Sequence, residues 1–394
     1  VLSKKLNSEG KRVQTEGQFE IATSLSAVDA LEWDALAGSQ PFIRHAFLHA
    51  LETSGCVGGK TGWTPQHLLL KRAGRLEAAL PLYLRDDSYG EFVFDFAWAD
   101  AYARYGGHYY PKLLTAIPFT PVAGRRLLAH NDADRLLLID AALDLARHLQ
   151  LSSWHCLFPT AHEAALLATK GLMQRHGTQF HWRNEGYTTF TDYLGAMSHD
   201  KRKKIKQERR KVAEAGVTFQ HRVGAEISEE DWLFFYQCYR HTYQTHHSPP
   251  YMNLAFFREI GQHLAPHVML VIAYQAGERI AVALNLFDEE RLYGRYWGAT
   301  CFISGLHFDT CYYQAIEFAI ARGLPIFEGG AQGEHKLARG LLPVTTTSAH
   351  WIADENFARA VGDYLVREQQ GVAQYVDELN ESSPFRTTLT LPGE

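Results

Sequence analysis

The stretch Gly305–Gly340, GLHFDTCYYQAIEFAIARGLPIFEGGAQGEHKLARG, decides how the rest of the chain is read. It predicts a loop, a helix, a short strand and a glycine-rich polar loop. Tyr312, Ile316 and Ile320 recur at helical spacing and predict a core-facing side. Asp309, Tyr313 and Glu317 recur at i, i+4 and i+8 and predict a second, polar stripe. Asp309 falls in the first turn, where a carboxylate suits the positive end of the helix dipole. Gly323 and Pro325 end the helix, and Pro325–Phe327 predicts a short buried strand. From Glu328 to Arg339, six ionisable or amide side chains surround three glycines. A helix that only docks on a sheet does not need such a density of polar groups beside a strand end, so this stretch is the candidate site.

Upstream lies a strand–turn–strand pattern over 268–289 with its turn at Ala276-Gly277-Glu278, and a further strand over Leu292–Trp297. Helices are predicted over 229–244 and 254–264, and a strand over 217–221. The run Asp200–Ala215, DKRKKIKQERRKVAEA, predicts a basic helix closed by Gly216. Downstream, 348–352 predicts a strand and 358–379 a closing helix.

The first half predicts a polar, mobile tail over 1–18 and a strand from Phe19. Helices follow over 26–36, with Ser26 as cap, and over 41–51. A hairpin over 67–87 turns at Ala73-Gly74-Arg75. The segment 90–127 is rich in aromatics, and its prolines 111, 118 and 121 predict extended or bulged backbone. A helix over 134–149, a strand over 153–158, a helix over 161–170 and strands over 179–183 and 187–191 complete this half.

A hydrophobic share of 46% over 394 residues supports two cored domains, and the net charge of −5 gives no global field for nucleic acid. Five scattered cysteines without a C-x-x-C predict reduced thiols, a cytoplasmic setting and neither zinc ribbon nor disulfide framework. The histidines follow no metal-ligand spacing, so no metal is expected. No apolar run reaches the length of a membrane span.

The halves echo each other. LLLKRAGRLEAALPL (68–82) parallels VIAYQAGERIAVALNL (271–286), with Gly74 matching Gly277 at an offset of 277 − 74 = 203. DAALDLARHL (140–149) parallels QAIEFAIARG (314–323) at 314 − 140 = 174. The offsets differ because the aromatic insertion lies only in the first half. Two matches in the same order, inside the same element order, indicate duplication.

That order resembles the GNAT acyltransferase fold: strand, two helices, hairpin and third strand, central helix, fifth strand, helix, strands. Two such domains in tandem resemble the FemABX aminoacyl transferases, as does the junction TDYLGAMSHDKRKKIKQERRKVAEAGVTF (191–219). YGEFVFDFAWADAY (89–102), YYPKLLTAIPFTPVAGRRLL (109–128), HFDTCYYQAIEFAIARGL (307–324) and EGGAQGEHKLARGLLPV (328–344) resemble the FemAB-like peptidoglycan biosynthesis/recognition family. The resemblance implies an α/β (α+β) chain of two tandem GNAT-like domains, each a mixed sheet flanked by helices. Expected bounds are 19–190 and 191–386, with the basic linker helix over 200–215 and a tail over 387–394. It also implies transfer of an aminoacyl or acyl group to an amine-bearing small molecule or peptide. No bound cofactor is expected, and the donor cosubstrate is aminoacyl-tRNA or acyl-CoA. The coenzyme A signature [Q/R]-x-x-G-x-[G/A] is missing before both central helices, which favours aminoacyl-tRNA and makes tRNA a candidate partner. Two further readings stay open: an acyl-CoA donor, and a non-catalytic module that recognises a peptidoglycan-like or RNA ligand.

Acyl transfer to an amine needs a base, oxyanion donors and an acid for the leaving group. Glu317, Glu328, Glu334 and His335 are candidate bases, and Tyr312 or Tyr313 a candidate acid. Lys336 and Arg339 can hold an oxyanion or phosphate, and Ser304, His307, Asp309 and Gln332 complete a substrate-binding set. The alternative for Asp309, Tyr313 and Glu317 is a solvated helix face. In the basic helix, Lys201, Arg202, Lys204 and Arg209 can follow phosphates, or the helix is merely a solvated linker. Asp95, Asp100 and Tyr105 can line a groove in the aromatic segment, whose other reading is core packing.

Overall fold

The computed structural model describes residues 17–330 and 333–386. The tails expected over 1–18 and 387–394 therefore fall almost wholly outside the described residues. The chain forms two compact units, one of residues up to 177 with 346–372, the other of 178–345 with the residues from 373 onward. The division falls earlier than the expected junction at 190/191. The return of 346–372 to the first unit was not anticipated.

The first unit opens with strand β1 (Gln18–Ala22), helix α1 (Ala30–Ala37) and helix α2 (His45–Thr53). Asp29, not Ser26, caps α1, accepting from the N–H groups of Leu31 and Glu32. Strands β2 (Trp63–Pro65), β3 (His67–Arg72), β4 (Arg75–Leu80) and β5 (Tyr83–Arg85) follow. The expected irregular segment contains a helix, α3 (Phe96–Arg104), before strands β6 (Lys112–Thr115) and β7 (Leu128–Ala129). Helix α4 (Asp132–His148), strand β8 (Ser153–Leu157), helix α5 (Ala161–Thr169) and strand β9 (Met173–Arg183) come next. One antiparallel sheet runs β1-β3-β4-β7. In the second, β2 pairs β5 and β5 pairs β6, both antiparallel, while β6 runs parallel to β8.

No strand forms over 187–191. Thr189 instead caps helix α6 (Phe190–Ala196) through a reciprocal Thr189–Asp192 capping box. Helix α7 (His199–Glu214) buries Ile205 and Val212, so it is docked rather than a free linker. The second unit continues with β10 (Val217–Val223), α8 (Glu229–Thr245), α9 (Leu254–His263), β11 (Val268–Gln275), β12 (Glu278–Phe287) and β13 (Arg291–Ala299). The central helix begins as α10 (Leu306–Phe308), passes through a π turn at Asp309–Tyr313 and ends as α11 (Gln314–Arg322). Strands β14 (Ile326–Glu328) and β15 (Leu342–Ile352) and helix α12 (Glu355–Glu381) close the chain. Residues 348–352 of β15 pair antiparallel with β8. The β10-β11-β12-β13 ladder is antiparallel, β13–β14 is parallel, and β14 pairs antiparallel with 181–183 of β9.

The repeat is visible in the backbone. Both hairpins turn through two left-handed residues, Ala73-Gly74 and Ala276-Gly277, the pattern of a two-residue hairpin turn. Each carries a bulge, at Leu70/Lys71 and at Ala273/Tyr274, again at an offset of 273 − 70 = 203. A bulge at the same place in both hairpins is a far more specific match than two similar turns.

Two features of the second unit position the site. First, β13 pairs with β14 only at Arg291–Tyr293, while β12 accompanies it to Ala299. β14 ends at Glu328, opposite Tyr293, while β13 runs on, and the β12–β13 register shifts between Leu284 and Asn285, opposite Arg295. Second, α10 starts at Gly305, with φ of 90°, where an added Cβ would lie 3.1 Å from the Glu208 carbonyl oxygen. Only glycine fits both the left-handed backbone and that close approach to α7.

Candidate active site

Glu328 ends β14, opposite Tyr293 of β13. Its side chain is buried, and Oε1 accepts from Arg291 Nη1 at 2.7 Å. Oε2 is buried without a hydrogen-bond partner, with His181 Nε2 at 3.8 Å. Burial pushes the carboxyl up to about 7, and Arg291 only partly opposes this. His181 is driven down to about 3 by burial and by the charges of Arg291, Arg183 and Lys336, so it stays neutral beside the carboxyl. A buried carboxyl that titrates near neutrality and has a free oxygen suits general-base work.

Lys336, in the 3₁₀ turn Glu334–Arg339, is also buried, and its Nζ donates to the Gly330 carbonyl at 2.9 Å. Burial lowers it to about 8. Around it stand rings: His335 lies 5.8 Å from Tyr312, 5.7 Å from Phe308 and 6.0 Å from His307, measured between centroids. His335 Nε2 and Tyr312 Oη are 3.1 Å apart. His307 lies tilted against Trp297 at 4.5 Å, and burial followed by the charges of His335, Arg339 and Lys336 lowers it to about 4. His335 itself is exposed and lowered in the same direction, by burial, Lys336 and Arg339.

The expected polar stripe is not solvated. Asp309 and Tyr313 are buried because α7 lies across that face. Arg209 bridges Glu317 at 2.7 Å and Asp309 at 3.5 Å, and Gln314 donates to Asp309 at 3.0 Å. Tyr313 donates to Glu208, which also accepts from Arg339 at 2.8 and 3.0 Å. The Arg339 guanidinium covers the Phe308 ring at 3.3 Å, and its Nε is buried without a partner. Glu317 is thus engaged by Arg209, and Tyr313 by Glu208. Neither stands with Glu328 as a free acid or base. Arg209 is held by two carboxylates and is not offered to phosphate.

The other expected residues are dispersed. Ser304 is exposed in the loop before α10, and Lys204 is exposed on α7, with Lys201 and Arg202 half-buried. Gln332 lies outside the described residues, as does the Glu334 side chain. In the first unit Asp100 and Tyr105 are exposed, whereas Asp95 is buried. Asp95 Oδ2 accepts from Lys112 at 2.6 Å and from Tyr109 at 2.7 Å, which is structural packing rather than a groove wall. Sequence reasoning missed His181, Arg291 and Glu208 as site residues. The first two join Glu328 only through the β9–β14 and β13–β14 registers, which no local pattern encodes.

Among the described residues, no three His, Cys, Asp or Glu side chains gather as a metal site, and no helix is long and apolar enough to cross a membrane. No curated protein sequence matches the chain. Among solved structures, FemX is similar at 10% identity and a TM-score of 0.55, covering 88% of this chain and 100% of that one. L-PGS from Bacillus licheniformis is similar at 11% identity and a TM-score of 0.54, covering 86% and 96%. At such identities the likeness establishes the fold: two tandem GNAT-like domains. The FemAB-like family, described as peptidoglycan biosynthesis/recognition, matches residues 24–387. The chain therefore belongs to the FemAB-like peptidoglycan biosynthesis/recognition family.

Proposed function

We propose that this chain moves an aminoacyl group from aminoacyl-tRNA onto an amine of a peptidoglycan-precursor type of acceptor, in the cytoplasm, with Glu328 as the general base. The buried, unpartnered Oε2 of Glu328 carries this reading. The acceptor amine attacks the ester carbonyl and Oε2 takes its proton. A C–N bond forms, the carbonyl oxygen becomes an oxyanion, and Lys336 Nζ is the cation available to it. Collapse breaks the C–O bond to the ribose, and the Tyr312 hydroxyl, paired with His335, supplies the proton to the leaving oxygen.

The tRNA donor is favoured over acyl-CoA by what surrounds the central helix start. Pyrophosphate binding needs exposed N–H groups and positive potential at a helix N-terminus. Here Gly305 is packed under the Glu208 carbonyl, and the carboxylates of Asp309 and Glu208 lie within the first turns and on the covering helix. The test offers purified protein labelled aminoacyl-tRNA or labelled acyl-CoA with a pool of amine acceptors. Amide formation from aminoacyl-tRNA alone is expected. Transfer only from acyl-CoA overturns the donor, and ligand binding without transfer from either overturns the reaction.

A further inference from the structure

The first unit holds a buried polar chain that the proposed chemistry does not use. Ser348 Oγ lies 2.8 Å from His350 Nε2, and His350 Nδ1 lies 2.7 Å from His155 Nδ1. His155 Nε2 is 3.0 Å from Tyr109 Oη, which donates to Asp95 Oδ2 at 2.7 Å. All five side chains are buried. Beyond Asp95, Lys112 Nζ donates to Asp95, Glu91 and Ser88 at 2.6, 2.9 and 2.7 Å, and Arg85 donates to Glu91 at 3.1 Å.

Hydrogen-bond logic leaves this chain one proton order. Asp95 is ionised: burial opposes its charge, but Lys112 and the other groups around the carboxylate together hold it well below the usual carboxylate range. An ionised carboxylate only accepts, so the tyrosine proton lies toward Asp95. Tyr109 Oη then accepts from His155 Nε2–H. A neutral His155 must accept at Nδ1, so His350 donates from Nδ1–H and accepts at Nε2 from the Ser348 hydroxyl. The two imidazoles are therefore opposite tautomers, and every proton points toward Asp95.

We propose that Ser348, His350, His155, Tyr109 and Asp95 form a sealed one-way relay that latches residues 346–352 to the rest of the first unit and opens on acidification. Five features support the latch. Ser348 and His350 lie on β15, His155 on the adjoining β8, and Tyr109 and Asp95 in the segment around α3. The groups facing the histidines are Asp95, Tyr109, Lys112 and Arg175, the last bound to Glu368 at 2.8 Å. The edge of Trp98 closes over His350 at 5.0 Å. Two protonated imidazoles would set two N–H groups against each other across 2.7 Å. Burial is the main cause holding both histidines neutral, with the charges of Lys112 and Arg175 adding to it. Opening restores each to its ordinary value near 6.5 and so takes up two protons.

Nitrogen-15 NMR of the full chain at pH 7 is expected to show one Nε2–H and one Nδ1–H histidine coupled in the core. Two identical tautomers overturn the relay. Hydrogen exchange of the 348–352 amides, corrected for intrinsic rate, is expected to lose protection about 100-fold per pH unit below about pH 6, tenfold per histidine. In the double variant His155→Gln/His350→Gln, whose amides cannot charge, that slope is expected to flatten. A wild-type slope near zero, or a steep slope retained in the double variant, overturns the latch. The tautomer measurement stands whether or not the variant folds.

Discussion

Each unit buries a carboxylate–cation cluster, and the two are finished differently. In the first unit, Asp95 and Glu91 share Lys112, Arg85, Tyr109 and Ser88, and the chain of donors runs on through two histidines to a serine. In the second unit, Glu328 has one oxygen paired and one bare, Arg339 keeps an unpaired Nε, and Lys336 binds a carbonyl. Each cluster leaves one buried carboxylate oxygen without a hydrogen-bond partner, Asp95 Oδ1 in the first and Glu328 Oε2 in the second, but Asp95 is held ionised well below the usual carboxylate range beside Lys112, whereas burial raises Glu328 to about 7, where it can take up a proton. The difference assigns structure to the first cluster and chemistry to the second.

The strongest way to break that assignment is the isosteric Glu328→Gln variant. Turnover is expected to fall by about 10²–10⁴ with the thermal melt unchanged. Full activity would move the base elsewhere. Lys112→Met tests the converse. It strands the buried Asp95 carboxylate, while Glu91 keeps Arg85, and is expected to cost about 3–5 kcal/mol in denaturant unfolding, because a lone buried charge is far worse than a pair. A stable protein with lost turnover would reverse the roles of the two clusters.

The pH profile sharpens the comparison. A base pushed up to about 7 must lose its proton to act, so activity is expected to fall about tenfold per pH unit below that value. Its stability effect has the opposite sense. The folded state holds this proton more tightly than the unfolded chain, so its contribution is full below the ordinary glutamate range and is lost as pH rises through about 7. The buried histidines of the first unit act in reverse, contributing above their ordinary value near 6.5 and losing that contribution as pH falls. The smallest effect is expected for Lys204→Ala on the exposed face of α7. Stability should stay within about 0.5 kcal/mol, and the salt dependence of the proposed tRNA binding should drop by about one unit of slope.

What sequence reasoning reached follows from locality. The hairpin turns at Gly74 and Gly277, the central helix and its stop at Gly323 are local signals, and each stands where the pattern put it. So does Glu328, because a polar residue ending a short apolar strand is conspicuous in one dimension. Tyr313 and Glu317 were misplaced for a different reason. The 3.6-residue period shows that a second face exists but not that α7 covers it, and only the tertiary arrangement supplies Glu208 and Arg209. The π turn at Asp309–Tyr313 also breaks the 3.6-residue period within this helix. The first-unit relay was out of reach altogether, since His155 and His350 stand 195 positions apart.

The return of residues 346–372 to the first unit has a consequence for how the protein is made. Emerging from a ribosome, the first unit has most of its helices early but must wait for its last strand until the whole second unit has been synthesised. Its completion is thus gated by the length of chain in between rather than by its own folding speed. A truncation at the junction that the repeat suggests would free a fragment with a bare β8 edge. A fragment meant to fold alone must join 17–177 directly to 346–372.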